Sequence, residues 1–367
     1  VLWAHPQGLN FATKIHVVKN VNMNKLLLLI GFSFIFLVLA KAKEIPRVFI
    51  FTDINIDSGD PDDRQSLIHL LWYANELKIE GIVPDRWNAK SVEACKLAID
   101  AYNSDYQKFL LEKKNYPNPD NLRKIVANDL DESFKLFGSA VSDTRSPLYV
   151  LVWGSMGSLS KILLAHPEYS KNIRLITIGT GLMLEEDIKH MPPDWEKSKP
   201  CEQLNWNGSG RNVIYNNPQF NAMWWLEMNW TYSGMFTGTE PQLIFNELSR
   251  FGTLGQHIKE VVKNEKWAQY FRVGDTPSVL YLIDLNHDFD FPTQSSWAGK
   301  FSKPLPNVKP NYYTDYSGSH EWDYLNPCKT WKNHKSVRDE AANTLTKRRP
   351  EMYNALLEKL KSIYTIE

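Results

Sequence analysis

The segment from Thr52 to Asp63 reads Thr-Asp-Ile-Asn-Ile-Asp-Ser-Gly-Asp-Pro-Asp-Asp and holds five carboxylates in eleven residues: Asp53, Asp57, Asp60, Asp62 and Asp63. Carboxylates this close repel one another unless water, protons or a cation separate their charges. Oxygen-only donors suit a hard cation such as Ca²⁺ or Mg²⁺, not zinc. The spacing is not that of an EF-hand, whose Asp-x-Asp-x-Asp-Gly run ends on a Glu. Asp, Gly, Ser and Pro also favour turns, so a solvated acidic turn is the competing reading.

Other polar residues fall where a site could use them. Asn88 follows an apolar run, and Asn221, Glu227 and Asn229 form an Asn-x5-Glu-x-Asn pattern. Glu227 lies in a Trp-rich apolar stretch, where an unpaired carboxylate is costly, so it needs a ligand or an Arg partner. His287, Asp288 and Asp290 offer a further acid or a solvated loop. The 13 tryptophans could stack on sugars or bases, or simply fill core and rim. Asn205 to Gly210 is glycine-rich but does not join a strand to a helix, so it is no dinucleotide fingerprint.

The surrounding elements follow from apolar patterning. Arg47–Thr52, Ile79–Val83, Leu148–Val152 and Ile173–Ile178 read as buried strands, with Met223–Asn229 a further one and Leu280–Ile283 another. Ser66–Leu77, Ser91–Tyr106, the stretch ending at Ala165 and Ser336–Ile363 carry helical spacing. Strands alternating with helices predict an α/β fold with an open, mostly parallel, doubly wound, Rossmann-like sheet. Sites on such sheets lie at the carboxyl ends of the strands, where Asp53 and Asn88 fall.

Composition bounds the function. Lys+Arg 42 balance Asp+Glu 42, which gives no electrostatic footing for a nucleic acid polymer. Hydrophobic content of 43% with 23% charged residues is that of a globular chain. Met23-Asn-Lys precedes an apolar run from Leu26 to Ala40, shorter than the roughly 20 residues of a membrane span. With Ala40-x-Ala42 it reads as a signal peptide. Residues 1–42 are therefore expected to be upstream sequence plus a leader starting at Met23. Residues 43–367 are expected to form one domain, exported to a periplasmic or extracellular compartment without stable membrane insertion. Export would allow Cys201 and Cys328 to pair, leaving Cys95 as a buried thiol.

The motifs together resemble the nucleoside hydrolase superfamily, most closely its exported, cellulose-binding branch. Asp53, then Asp62-Asp63 followed by Gln65-Ser66-Leu67, is similar to that family's calcium loop. The Val152–Leu159 turn is similar to one whose backbone carbonyl, here that of Trp153, reaches the metal. Gly274-Asp275-Thr-Pro-Ser resembles the segment supplying the last calcium carboxylate. The resemblance spans about residues 46–300. It implies Ca²⁺ held by Asp53, Asp63, Asp275 and the Trp153 carbonyl. It also implies sugar hydroxyls held by Asp62, Asn88, Asn221, Glu227 and Asn229. Two departures stand out. Phe51 replaces an Asp of the family loop and the gap to Asp62 is longer, which leaves Asp57 as an alternative ligand to Asp53. Gly274 stands where many members have a His that assists the leaving group.

The chemistry implied is cleavage of an N- or O-glycoside through an oxocarbenium-like transition state, by a Ca²⁺-held water with Asp53 as base. The ligand would be ribose-like or another saccharide, and homo-oligomers are open. The rival is a non-catalytic, calcium-dependent saccharide-binding protein that kept the metal and lost the acid.

Overall fold

The computed structural model describes residues 44–185, 200–202 and 210–365. The expected leader and the loop from Asn205 lie outside the described residues, apart from Gly210. Ile45–Glu367 is one compact unit. Seven strands form one sheet: β1 (Arg47–Thr52), β2 (Lys78–Pro84), β3 (Leu148–Trp153), β4 (Ile173–Ile178), β5 (Trp224–Met228), β6 (Phe301–Ser302) and β7 (Tyr312–Asp315). Their order is β2-β1-β3-β4-β5-β7-β6, and only the β6–β7 pair is antiparallel. The central strands β1 and β3 are buried along their whole length, as continuous apolar runs covered on both faces must be.

The longer helices are α1 (Asp62–Trp72), α2 (Ala89–Lys108), α3 (Leu130–Ser142), α4 (Gly157–Ala165), α5 (Glu240–Leu248), α6 (Gly252–Glu260), α7 (Pro277–Ile283), α8 (His334–Thr346) and α9 (Arg349–Tyr364). Two apolar clusters hold the layers to the sheet. One packs α1, α2 and α7 on one face, and the other packs α3 and α4 on the opposite face. Among the described residues no helix is long and apolar enough to cross a membrane.

Two expectations are corrected. The first helix begins at Asp62 rather than Ser66, because Asp62 and Asp63 favour the positive end of a helix dipole and extend the first turn. Leu280–Ile283 is not a strand but the end of α7, a helix buried on every side, whose apolar run therefore shows no period. Cys201 and Cys328 are disulfide-bonded with Cα atoms 4.9 Å apart, and Cys95 is free and buried.

Candidate functional site

One face of α1 recruits a segment from far along the chain. Asp62 Oδ1 accepts from the Gly274 amide. Gln65 Oε1 accepts from the Arg272 amide at 2.6 Å, while its Nε2 donates to the carbonyls of Ile258 and Tyr270 at 3.0 and 3.2 Å. His69 Nδ1 lies 3.1 Å from Thr276 Oγ1. Positions 62, 65 and 69 share a helix face, so the three contacts act as rungs. The end of β3 is tied to the same segment. Trp153 Nε1 donates to Ser278 Oγ at 2.9 Å, and Ser278 Oγ donates to the Asp275 carbonyl at 2.7 Å. The Asp53 amide in turn donates to the Trp153 carbonyl at 3.3 Å.

Asp275 is thereby held among Asp53, Asp62 and Asp63, although more than 200 residues separate it from them. Burial pushes the Asp63 and Asp275 carboxyls well above the ordinary range, and their acidic neighbours push further in the same direction. Asp62 is raised to about 7, first by burial and then by Asp60, with Arg272 and the Gly274 amide pulling the other way. Cations enter at the rim. Arg272 Nε donates to both oxygens of Asp60 at 2.6 and 2.8 Å, and Arg86 Nη2 to Asp53 Oδ2 at 2.9 Å. Buried Arg64 shapes the loop by donating to the carbonyls of Ile56, Ser58 and Asp60. Asp57 lies on the surface, 59% exposed and paired with Lys90, whereas Asp53 is the acidic neighbour of Asp63 and Asp275.

The donor chemistry fits a hard cation. Asp275 is only 6% exposed, and its carboxylate makes no hydrogen bond or ion pair among the described residues. A buried carboxylate in that condition is either protonated or awaiting a cation. As they stand, no three acidic side chains among the described residues converge closely enough to cage an ion. Two of the carboxylates expected to ligate are already engaged: Asp53 accepts from Arg86, and Asp63 from Thr52 Oγ1.

A family model described as cellulose-binding Sde182, nucleoside hydrolase-like domain, matches residues 47–301. The chain belongs to this family. Its fold is similar to that of a nucleoside hydrolase-related protein from Saccharophagus degradans that is associated with carbohydrate metabolism. The TM-score is 0.57 at 16% identity, over 88% of this chain and 72% of that one. An inosine-uridine preferring nucleoside hydrolase from Bacillus anthracis aligns with a TM-score of 0.44 at 14% identity, over 82% of this chain and 99% of that one. No functionally curated protein matches.

On the sugar side, this nucleoside hydrolase-like domain departs from the sequence reading. Glu227 is fully buried, but its oxygens are taken. Arg211 donates to both at 2.8 and 2.5 Å, Tyr312 Oη to one at 2.6 Å, and Thr180 Oγ1 to the other at 2.9 Å. Burial alone would raise its carboxyl; Arg211 beside it brings it below the usual range. Glu227 is thus the anchor of a buried ion pair rather than a sugar ligand. Asn221 precedes β5, at the amino-terminal edge of a parallel sheet, and accepts from Lys309 Nζ at 2.7 Å. It stands at the wrong end for the site. Asn229 is at the correct end, but its side chain serves the Leu182 amide and Thr314 Oγ1 at 3.0 and 3.2 Å. Asn88 is exposed beside the acidic loop. It caps α2 by accepting from the Ser91 amide at 2.9 Å, and Asn55 Nδ2 donates to it at 3.2 Å. Asp290 pairs with Arg174 near the start of β4, again at the opposite edge, so it supplies no acid.

Two residues went unnoticed in the sequence: Arg86 and Arg272 bring positive charge to the cluster, and neither stands in a local pattern that signals it. Gln65 was named only as part of the Asp-Asp-x-Gln run, and its bridging role shows only in the fold.

Proposed function

We propose that this domain is an exported, calcium-dependent saccharide-binding protein built on the nucleoside hydrolase-like fold. The observation that carries this reading is the position of Gly274. A Cβ there would stand 2.5 Å from Asp62 Oδ2 and 2.5 Å from the Phe236 ring. The leaving-group acid expected at this position has no room without displacing a carboxylate of the cluster. In this reading Asp53, Asp63, Asp275 and the Trp153 carbonyl would hold the ion once their side chains close on it, and Asp62 and Asn88 would meet the sugar; the burial of Asp275 without a hydrogen-bond partner among the described residues supports it. Bound calcium would supply a Lewis-acidic centre for sugar hydroxyls. The family's cellulose-binding description supports a saccharide ligand. The Cys201–Cys328 disulfide supports an oxidising compartment.

A second reading, slow glycoside hydrolysis, is favoured by Asp53, which follows the end of β1 near Asp63 and Asp275, where a base for metal-held water would sit. Loss of a general acid costs about 10²–10⁴-fold in rate. One experiment separates the two. Binding to cellulose, soluble gluco-oligosaccharides and ribose is measured in Ca²⁺ and after chelation, with reducing-sugar release from nucleosides and aryl ribosides followed alongside. Calcium-dependent retention without turnover is the expected result. Turnover lost on both Asp53→Asn and chelation supports the hydrolase, and binding indifferent to calcium removes both readings.

A further inference from the structure

The cation at Asp53 belongs to the protein. Arg86 follows β2 in a turn fixed on both sides. Before it, the Asp85 amide donates to the Thr52 carbonyl at 2.8 Å. The Asp85 carboxylate accepts from Ser155 Oγ at 2.9 Å, from the Ser158 amide at 3.1 Å, and from Ser158 Oγ. After it, Trp87 is a non-glycine residue at φ 46°, held there by its Nε1–H donating to Ser158 Oγ at 2.8 Å. Asn88 then caps α2. Every neighbour of Arg86 is pinned to β1, α4 or α2, so the turn delivers the guanidinium to Asp53. The Arg86 side chain is 45% exposed against 15% for that of Asp53, so it can swing into solvent without opening the core.

This sets up a competition at one carboxylate. Asp53 is bonded to Arg86, whereas Asp275 is buried with no partner among the described residues. A divalent ion drawn to Asp275 and Asp63 needs Asp53 to complete its set, and Asp53 is already engaged.

We infer that Arg86 is a built-in competitor for the calcium ion: its guanidinium holds Asp53 in the metal-free protein and must be displaced, or at least repelled, when the ion binds. Arg86 thereby sets the calcium affinity of the site and lowers it below what the carboxylates alone would give. The inference rests on the calcium reading above.

The test is titration calorimetry with Ca²⁺ alone on the metal-stripped full chain, comparing wild type with Arg86→Gln, Arg86→Lys and Lys90→Gln. Lys90 pairs with Asp57 on the same loop and controls for general loss of positive charge. An exposed ion pair is weak, so Arg86→Gln should tighten Ca²⁺ binding by about two- to tenfold, with Arg86→Lys closer to wild type. Lys90→Gln should change it less than Arg86→Gln does. In thermal melts the metal-free Arg86→Gln protein should be less stable than wild type, and the calcium-saturated proteins should converge. Equal or weaker calcium binding by Arg86→Gln overturns the inference, as does an equal gain in Lys90→Gln. If wild type and Arg86→Gln both fail to bind Ca²⁺, the calcium reading itself falls and takes this inference with it. If both bind equally, the inference alone falls.

Discussion

Asp62 and Gly274 occupy each other's space: the Gly274 amide donates to the Asp62 carboxylate, and that carboxylate fills the volume a side chain at 274 would need. Gly274→Ala should therefore destabilise the protein by about 1–3 kcal/mol, the usual range for forcing extra atoms into a packed site. A urea midpoint shifted down with unchanged slope checks this. A Gly274→Ala protein as stable as wild type would mean that Asp62 moves aside freely and that the position can accept an acid.

Asp275→Asn should act with opposite sign in the two states. In metal-free protein near neutral pH it removes a buried carboxylate that lacks a partner, so stability should rise, on the order of 1–3 kcal/mol. With calcium present, the wild type should gain stability and the variant should not. A ligand at a hundred times its Kd adds about 2.7 kcal/mol to the state that binds it. Melting curves of both proteins with and without Ca²⁺ decide this, and a variant that still responds to Ca²⁺ excludes Asp275 as a ligand.

The pH dependence follows from Asp62, raised to about 7 in the fold. An unfolded Asp titrates near about 3.9. Between these values the folded state binds a proton that the unfolded chain has released. This contribution is fully present below about pH 4 and is lost as pH rises through about 7. Metal-stripped protein should thus lose stability across that window, with Asp63 and Asp275 adding losses of the same sign. Calcium should reverse the trend, because a cation takes the place of the protons. Urea midpoints from about pH 5 to about 8, with and without Ca²⁺, would show it. Identical slopes in the two series would mean that no ion replaces the protons.

Glu227→Ala should cost about 3–5 kcal/mol, because it leaves Arg211 charged and buried without its partner. The calcium-dependent rise in melting temperature should survive the substitution. A sugar-binding Glu would behave the other way, with ligand affinity lost and the fold intact.

The contrast between Glu227 and Asp275 shows what the sequence could carry. Ile173–Ile178 was legible to the residue, since a β-branched apolar run between polar flanks has one reading. That Asp53 and Asp275 come near one another was legible only through the family resemblance, because no local pattern joins residues more than 200 positions apart. The Asn221-x5-Glu227-x-Asn229 spacing was misleading because spacing records direction along a strand, not competition for hydrogen bonds. Lys309 takes Asn221, Arg211 and Tyr312 take Glu227, and Leu182 and Thr314 take Asn229, and each comes from outside the motif. The short strands β6 and β7 were missed for a related reason. A strand of two or four residues has too little pattern to read until its neighbour β5 is in place.

The three rungs between α1 and the segment from Arg272 to Thr276 join residues 207 to 212 positions apart. Contacts that distant form late, because the intervening chain must first be closed into a loop. No fragment ending before Asp275 can assemble the carboxylate cluster, however well its early strands have folded. If the calcium reading holds, uptake of the ion should therefore lag behind the gain of secondary structure during refolding, and the ion would serve as a clock for the closing of that loop.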